Sequence, residues 1–174
     1  MPSASMHSAS EVKVRANLIL ASNGATTLNG SSRPLSPKAD RERFHLLRSG
    51  ADVILIGGKT FNGEPYRGIS TPLLVASRSL RIEEPGVEFH NCSPIDLVKL
   101  AKSRYQSILI EGGVNFLSSI LAEKLINQFF LTRVNTNGDG NIFEERNLKD
   151  NYLLTSQETL DGLSFEIWEP NPQR

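Results

Sequence analysis

The stretch that most constrains this chain is Ser107–Phe116, which reads SILIEGGVNF. An apolar, β-branched run ends in an acid and two glycines, and a helical pattern begins at once. A strand entering a helix through Gly-Gly leaves the first helical N–H groups unpaired, at the positive end of the macrodipole. Such a turn suits a phosphate or pyrophosphate, because the missing Cβ lets an anion reach the backbone. A tight turn packed on neighbouring backbone would use the same residues, and one Gly-Gly pair does not separate the two readings. The pattern recurs at Asp52–Gly58 (DVILIGG), again a buried strand run into two glycines, followed by Lys59, Thr60 and Phe61.

The rest of the chain supplies matching units. Val12–Ala21 carries the apolar run of a buried strand, and Ser22–Pro34 follows as a long polar loop with two Asn-Gly turn signals, too polar for core. Ser36-Pro37 opens a helix with Ser36 as N-cap; Phe44 and Leu47 share its apolar face, Arg43 and Arg48 flank it, and Gly50 ends it. Asn62–Gly68 is a loop. Thr71–Ala76 is a third strand, ending in Ser77-Arg78-Ser79. A hydroxyl and a guanidinium there suit a phosphate monoester, whereas an NAD site favours an acid on the ribose, so the pair leans toward NADP; an exposed turn arginine is the plainer reading. Val87–His90 is a short strand, Ser93–Asp96 caps a further helix, and Gln128–Val134 is another strand. Tyr152–Ser156 and Leu163–Trp168 flank an Asp161-Gly162 turn, a hairpin signal. These units predict an α/β fold: a mixed, mostly parallel sheet, helices on both faces and a C-terminal antiparallel hairpin. Residues 1–11 are expected to be a disordered lead-in without the marks of a secretory signal, and 12–174 a single domain.

Several function classes lose support. Nineteen basic residues balance nineteen acidic ones, so no global field favours nucleic acid or an anionic membrane. Cys92 is the only cysteine, which leaves no intramolecular disulfide framework or Cys-rich zinc site, and the three histidines lack ligand spacing; no metal is expected. No apolar run approaches the roughly 18 residues needed to span a bilayer. Neither Gly-x-Gly-x-x-Gly after the first strand nor a P-loop is present.

The residues resemble a family. Ala21–Ala25, Asn29–Ser32, Leu35-Ser36, Asp40-Arg41, Phe44, Leu47-Arg48, Ala51–Gly57, Thr60, Glu64, Glu111–Gly113 and Gly138–Gly140 fall in the order and spacing of the pyrimidine reductases of riboflavin biosynthesis. That resemblance runs from about Asn17 to Gly140 and implies a dihydrofolate reductase-like three-layer fold, a cytoplasmic homodimer and NADPH as cofactor. The implied reaction reduces the ribosyl side chain of 5-amino-6-(5-phosphoribosylamino)uracil to the ribityl form. Reduction of dihydrofolate or another heterocycle on the same fold is the alternative, and a silent NADPH-binding paralogue the third reading.

Carried over by position, the resemblance puts Ala21 and Ser22 at the nicotinamide end and makes Thr60 a cofactor contact. Gly112, Gly113, Val114 and Asn115 would cradle the cofactor phosphates, with Ser77 and Arg78 on the 2′-phosphate. Ser32 and Arg48 would hold the substrate, phosphate included, Arg67 resembles a substrate-side arginine, and Glu111 would meet the pyrimidine edge. Glu64 stands where the family has a carboxylate near the nicotinamide and substrate, and a catalytic role for it is expected. Asn23, Asn29 and Asn127 replace acids that are common in the family, and Lys59 occupies a position that is often small.

Overall fold

A computed structural model describes residues 11–66, 68–79 and 81–174. The lead-in up to residue 10 and Arg67 lie outside the described residues. Among the described residues, ten strands and five α-helices follow one another: β1 (Lys13–Leu20), β2 (Ala25–Thr27), α1 (Lys38–Ser49), β3 (Val53–Gly57), α2 (Gly58–Gly63), β4 (Leu73–Ala76), β5 (Val87–His90), α3 (Pro94–Arg104), β6 (Ser107–Gly112), α4 (Val114–Ala122), β7 (Gln128–Arg133), β8 (Gly140–Ile142), α5 (Arg146–Asn151), β9 (Tyr152–Leu160) and β10 (Leu163–Pro170).

Eight strands form the main sheet in the order β5-β4-β3-β6-β1-β7-β10-β9. All neighbours are parallel through β7, and β10 runs antiparallel to both β7 and β9. The hairpin turns on Asp161 and Gly162, both at positive φ, as a two-residue turn matched to strand twist requires.

Strand alternation divides the core in two. Val14, Ala16, Leu18, Val53, Leu55, Ile108 and Ile110 face α3, α4 and α5, meeting Leu97, Leu117, Ile120 and Leu148. Ile54, Ile56, Leu73, Val75 and Leu109 face the other way, toward Leu47 of α1 and Phe61 of α2. Helices cover both faces, and the mostly parallel sheet between them makes three layers. Near-continuous apolar runs in β3 and β6 follow from burial on both faces.

Four local expectations change. The loop 22–34 is not all surface: Ala25, Thr26 and Thr27 are buried and pair as β2 with β8. The Thr26 hydroxyl donates to the Asn141 carbonyl at 2.7 Å, so a polar residue enters the core fully bonded. Helix α1 starts one residue later than read, with Pro37 at the N-cap, while the Ser36 hydroxyl donates to the Asp40 carboxylate. Arg43 does more than flank the apolar face of that helix; it donates to the Glu166 carbonyl and lies over Phe130 and Phe165. The short helices α2 and α5 carried too little periodicity to be read.

Candidate active site

The parallel strands β3, β4, β6, β1 and β7 bring their C-terminal ends to one edge of the sheet, where ligands of open α/β sheets bind. Gly57 pairs with Ala76, and Ile56 with Gly112, so both Gly-Gly turns and Ser77 fall side by side. Gly57 caps α2 and Gly113 caps α4, each without a side-chain hydrogen bond, which leaves first-turn N–H groups open at that edge. Gly112 has φ +111°, a conformation reserved for glycine, and the Gly112–Gly113 peptide is cis. A methyl group on Gly113 would sit 3.0 Å from Thr60 Oγ1, so Thr60 and the second Gly-Gly turn form one cradle that a Cβ would fill.

Ser77 donates its N–H to the His90 carbonyl, and Arg78 is exposed beside it. Ala21 is buried; its N–H donates to Ala25 and its carbonyl accepts from Gly24. The Ser22 hydroxyl donates to the Val134 carbonyl at 3.2 Å. Both residues line an open cavity of about 290 Å³ with Arg133, Val134 and Ser164. A larger depression of about 720 Å³ lies along Arg81–Pro85 with Val87 and Phe89, and holds none of the residues singled out from the sequence.

On the α1 side of the same edge, four expected residues join one hydrogen-bonded chain. Arg48 Nε and one terminal nitrogen donate to the two oxygens of Glu111, each at 2.7 Å. The Tyr66 hydroxyl donates to Glu111 Oε2 at 2.8 Å. Tyr66 N–H donates to the Glu64 carbonyl, and the Glu64 carboxylate accepts from the Ser31 hydroxyl at 2.9 Å and the Ser32 N–H at 2.7 Å. Ser32, Glu64, Glu111 and Arg48 therefore form a continuous strip. The Glu111 side chain is only 2% exposed, covered by Arg48, whose guanidinium lies 4.2 Å from the Phe44 ring centroid and 5.2 Å from that of Tyr66. Burial alone would lower the Arg48 pKa, but the Glu111 bonds and charge outweigh it and the value rises. Burial first, then the neighbouring Glu111 charge, pushes the Tyr66 phenol well above its ordinary value.

Tyr66 is the member of this candidate site that sequence reasoning missed. The available signal was an aromatic set beside a proline in an otherwise polar loop.

The three asparagines that replace acids have structural partners. Asn23 Nδ2 donates to the Gly138 carbonyl while its Oδ1 accepts the Gly138 N–H, a two-way lock that a carboxylate could not make. Asn29 sits at φ +55°, where asparagine is well tolerated, and its N–H donates to Asp139. Asn127 Oδ1 accepts the Val14 N–H at 2.7 Å and so fixes the start of β1. Ser22–Ser32 is thereby tied to the segment around β8.

The family model of the RibD C-terminal domain matches residues 14–135. Among solved structures, the chain is similar to a pyrimidine reductase-like protein from Corynebacterium diphtheriae, with a TM-score of 0.75 at 19% identity over 93% of both chains. It is similar to a protein ascribed to riboflavin biosynthesis from Shewanella sp. PV-4, with a TM-score of 0.73 at 16% identity, covering 92% of this chain and 99% of that one. Dihydrofolate reductase from Enterococcus faecalis, solved with NADP(H) and RAB-propyl, superimposes with a TM-score of 0.73 at 13% identity over 91% of this chain and 96% of its own. These likenesses give a dihydrofolate reductase-like fold. No curated protein matches the chain.

Proposed function

This chain belongs to the RibD C-terminal domain family, and on that premise we propose that it reduces the ribosyl side chain of 5-amino-6-(5-phosphoribosylamino)uracil to the ribityl form, using NADPH. The observation that carries the reading is the alignment of two uncapped Gly-Gly strand ends beside Ser77-Arg78, with the Ser32–Glu64–Glu111–Arg48 strip on the same edge. Bound NADPH supplies the hydride. The protein's part is to hold two rings together and exclude water.

In this reading Gly112, Gly113, Val114 and Asn115 hold the cofactor phosphates, Thr60 is a further cofactor contact, Ala21 and Ser22 border the nicotinamide, and Ser77 with Arg78 takes the 2′-phosphate. Ser32, Arg48, Arg67 and Glu111 belong to the substrate side. An imine-like ribosyl carbon accepts hydride best when its nitrogen is protonated, and the Glu64 carboxylate stabilises that cation. Glutamine can keep the Ser32 N–H bond through its amide oxygen and reverse the Ser31 bond, its NH2 donating to the hydroxyl, while losing the charge. Glu64→Gln is expected to lower kcat by about 10- to 100-fold, the worth of a charged hydrogen bond. Full kcat across the pH range would remove Glu64 from the reaction.

Arg78→Ala is expected to weaken NADPH binding by about 1–3 kcal/mol and leave NADH nearly unchanged. An equal loss for both cofactors in a fluorescence titration would take Arg78 off the 2′-phosphate.

The reading includes a cytoplasmic homodimer. Edge strand β9 exposes Leu153, Leu154 and Leu160, apolar surface that a second copy would cover. Sedimentation velocity reads that assembly directly.

The deciding experiment follows NADPH oxidation with 5-amino-6-(5-phosphoribosylamino)uracil beside dihydrofolate. Turnover of the pyrimidine alone supports the proposal. Turnover of dihydrofolate alone, or of neither while NADPH still binds, defeats it.

A further inference from the structure

Asp139 lies 139 − 64 = 75 residues from Glu64, yet a short chain of hydrogen bonds connects them. Asp139 stands on a fixed base. Its N–H donates to the Thr27 carbonyl at 2.9 Å, Gly140 pairs with Thr27 in the β2–β8 ribbon, and Asn23 holds both backbone groups of Gly138. The flanking glycines permit this approach: a Cβ on Gly140 would lie 2.9 Å from Thr27 Oγ1, and one on Gly138 would collide with the Thr27 carbonyl. From that base the Asp139 carboxylate accepts the Asn29 N–H at 2.8 Å.

Asn29 and Gly30, at φ +55° and +79°, form the tip of a two-residue turn. Leu28 and Ser31 close it by exchanging backbone hydrogen bonds at 2.9 and 3.3 Å. The chain leaving the turn carries both groups that hold Glu64, the Ser31 hydroxyl on one oxygen and the Ser32 N–H on the other. The Arg33 N–H donates to the same hydroxyl at 3.2 Å, which leaves the hydroxyl proton for Glu64. One donor on each oxygen fixes the direction of the carboxylate, but only while the turn that presents them is itself held. The tip of that turn has little other support: Asn29 and Gly30 are exposed, and a methyl group on Gly30 would meet nothing within 4 Å.

We propose that Asp139 is a positioning residue for the Glu64 carboxylate, acting as a hydrogen-bond acceptor through the Asn29–Ser32 turn. The inference rests on the assignment of Glu64 to the reaction in the proposed function. It gives the Gly138-Asp139-Gly140 motif a part in the chemistry at one remove from the reacting atoms. Asp139 is exposed, so replacing it leaves the core in place.

The test measures kcat with NADPH and 5-amino-6-(5-phosphoribosylamino)uracil in the unaltered protein, Asp139→Ala, Asp139→Asn, Glu64→Gln and the Asp139→Ala/Glu64→Gln double variant. Each value is normalised to the fraction of protein that binds NADPH, which removes any effect of incomplete folding. Asp139→Ala should lower kcat by roughly 3- to 10-fold, the worth of one hydrogen bond. Asp139→Asn offers an amide oxygen to the same N–H and should keep kcat within about twofold. In the Glu64→Gln background, Asp139→Ala should cost less than about twofold, because the charge it orients is gone. Equal penalties in both backgrounds would show that Asp139 acts by another route. An Asn variant as impaired as the Ala variant would show that its charge matters and not its acceptor. Either result overturns the inference.

If the substrate does not turn over, the functional reading has failed, and amide hydrogen exchange tests the coupling by itself. Asp139→Ala should speed exchange of the Ser32 N–H by about 10-fold or more, and Asp139→Asn should not. The Val14 N–H, bonded to Asn127 at the far end of β1, should exchange at its original rate in both variants. Unchanged exchange at Ser32, or equal acceleration at Ser32 and Val14, overturns the inference.

Discussion

Glu111→Leu is expected to destabilise the fold by on the order of 3 kcal/mol, because it leaves a largely buried guanidinium without its partner. Arg48 is 18% exposed on its side chain and Glu111 2%, so water can compensate the arginine only in part. Arg48→Met should cost a similar amount from the other side, stranding the more deeply buried carboxylate. The two losses should not add. With Arg48→Met and Glu111→Leu together, no charge is left unpaired, and the apolar replacements pack against Phe44 and the Tyr66 ring. Adding Tyr66→Phe removes the hydroxyl that would otherwise be orphaned. Urea denaturation of the singles, the double and the triple reads the outcome: most stability returns in the triple while substrate turnover does not. Strictly additive losses would mean the pair is solvated enough that its partners act independently.

Gly138→Ala is expected to cost about 2–3 kcal/mol by overpacking, with little relief available. A methyl group there would lie 2.4 Å from the Thr27 carbonyl oxygen and 2.7 Å from Ala25 Cβ, and both neighbours belong to buried β2. Neither can move cheaply, because β2 is paired with β8 and Asn23 grips Gly138 through both backbone groups. Gly30→Ala makes the control: nothing lies within 4 Å, and only its φ of +79° opposes a side chain. That strain should cost about 1 kcal/mol. Thermal melts of the two variants separate packing from backbone strain; equal shifts would show that the β2–β8 contact yields.

Strands β3 and β6 could be read because burial on both faces leaves an unmistakable apolar run ending in glycine, and the Asp161-Gly162 turn because few residue pairs accept two positive φ angles. β2 could not be read. Its three residues carry no period, and Thr26 is a core residue only because a distant backbone group, the Asn141 carbonyl, accepts its hydroxyl bond. The site divided in the same way. Gly112 and Gly113 announce themselves through backbone geometry, which is local. The closure of Glu111 by Arg48 and Tyr66 joins three segments across the sheet and helix layer, and no spacing in the chain encodes it. The replaced acids misled in the opposite direction: at Asn23 an amide is needed, since Gly138 both donates to it and accepts from it.

The sheet order has a consequence for how the molecule comes into being. β1 is the first strand made, yet its partners arrive late: Lys13 pairs with Ser107 and Arg15 with Gln128, separations of 107 − 13 = 94 and 128 − 15 = 113 residues. At a synthesis rate of about 5–20 residues per second, β1 waits several seconds or more for a neighbour on either side. During that interval Leu18, Ile19 and Leu20, all buried at the end, have no sheet to enter. Pairings this distant also raise contact order and slow the final collapse. The β1 strand, central in the finished sheet, is the segment of the nascent chain that most needs protection from other chains while it waits.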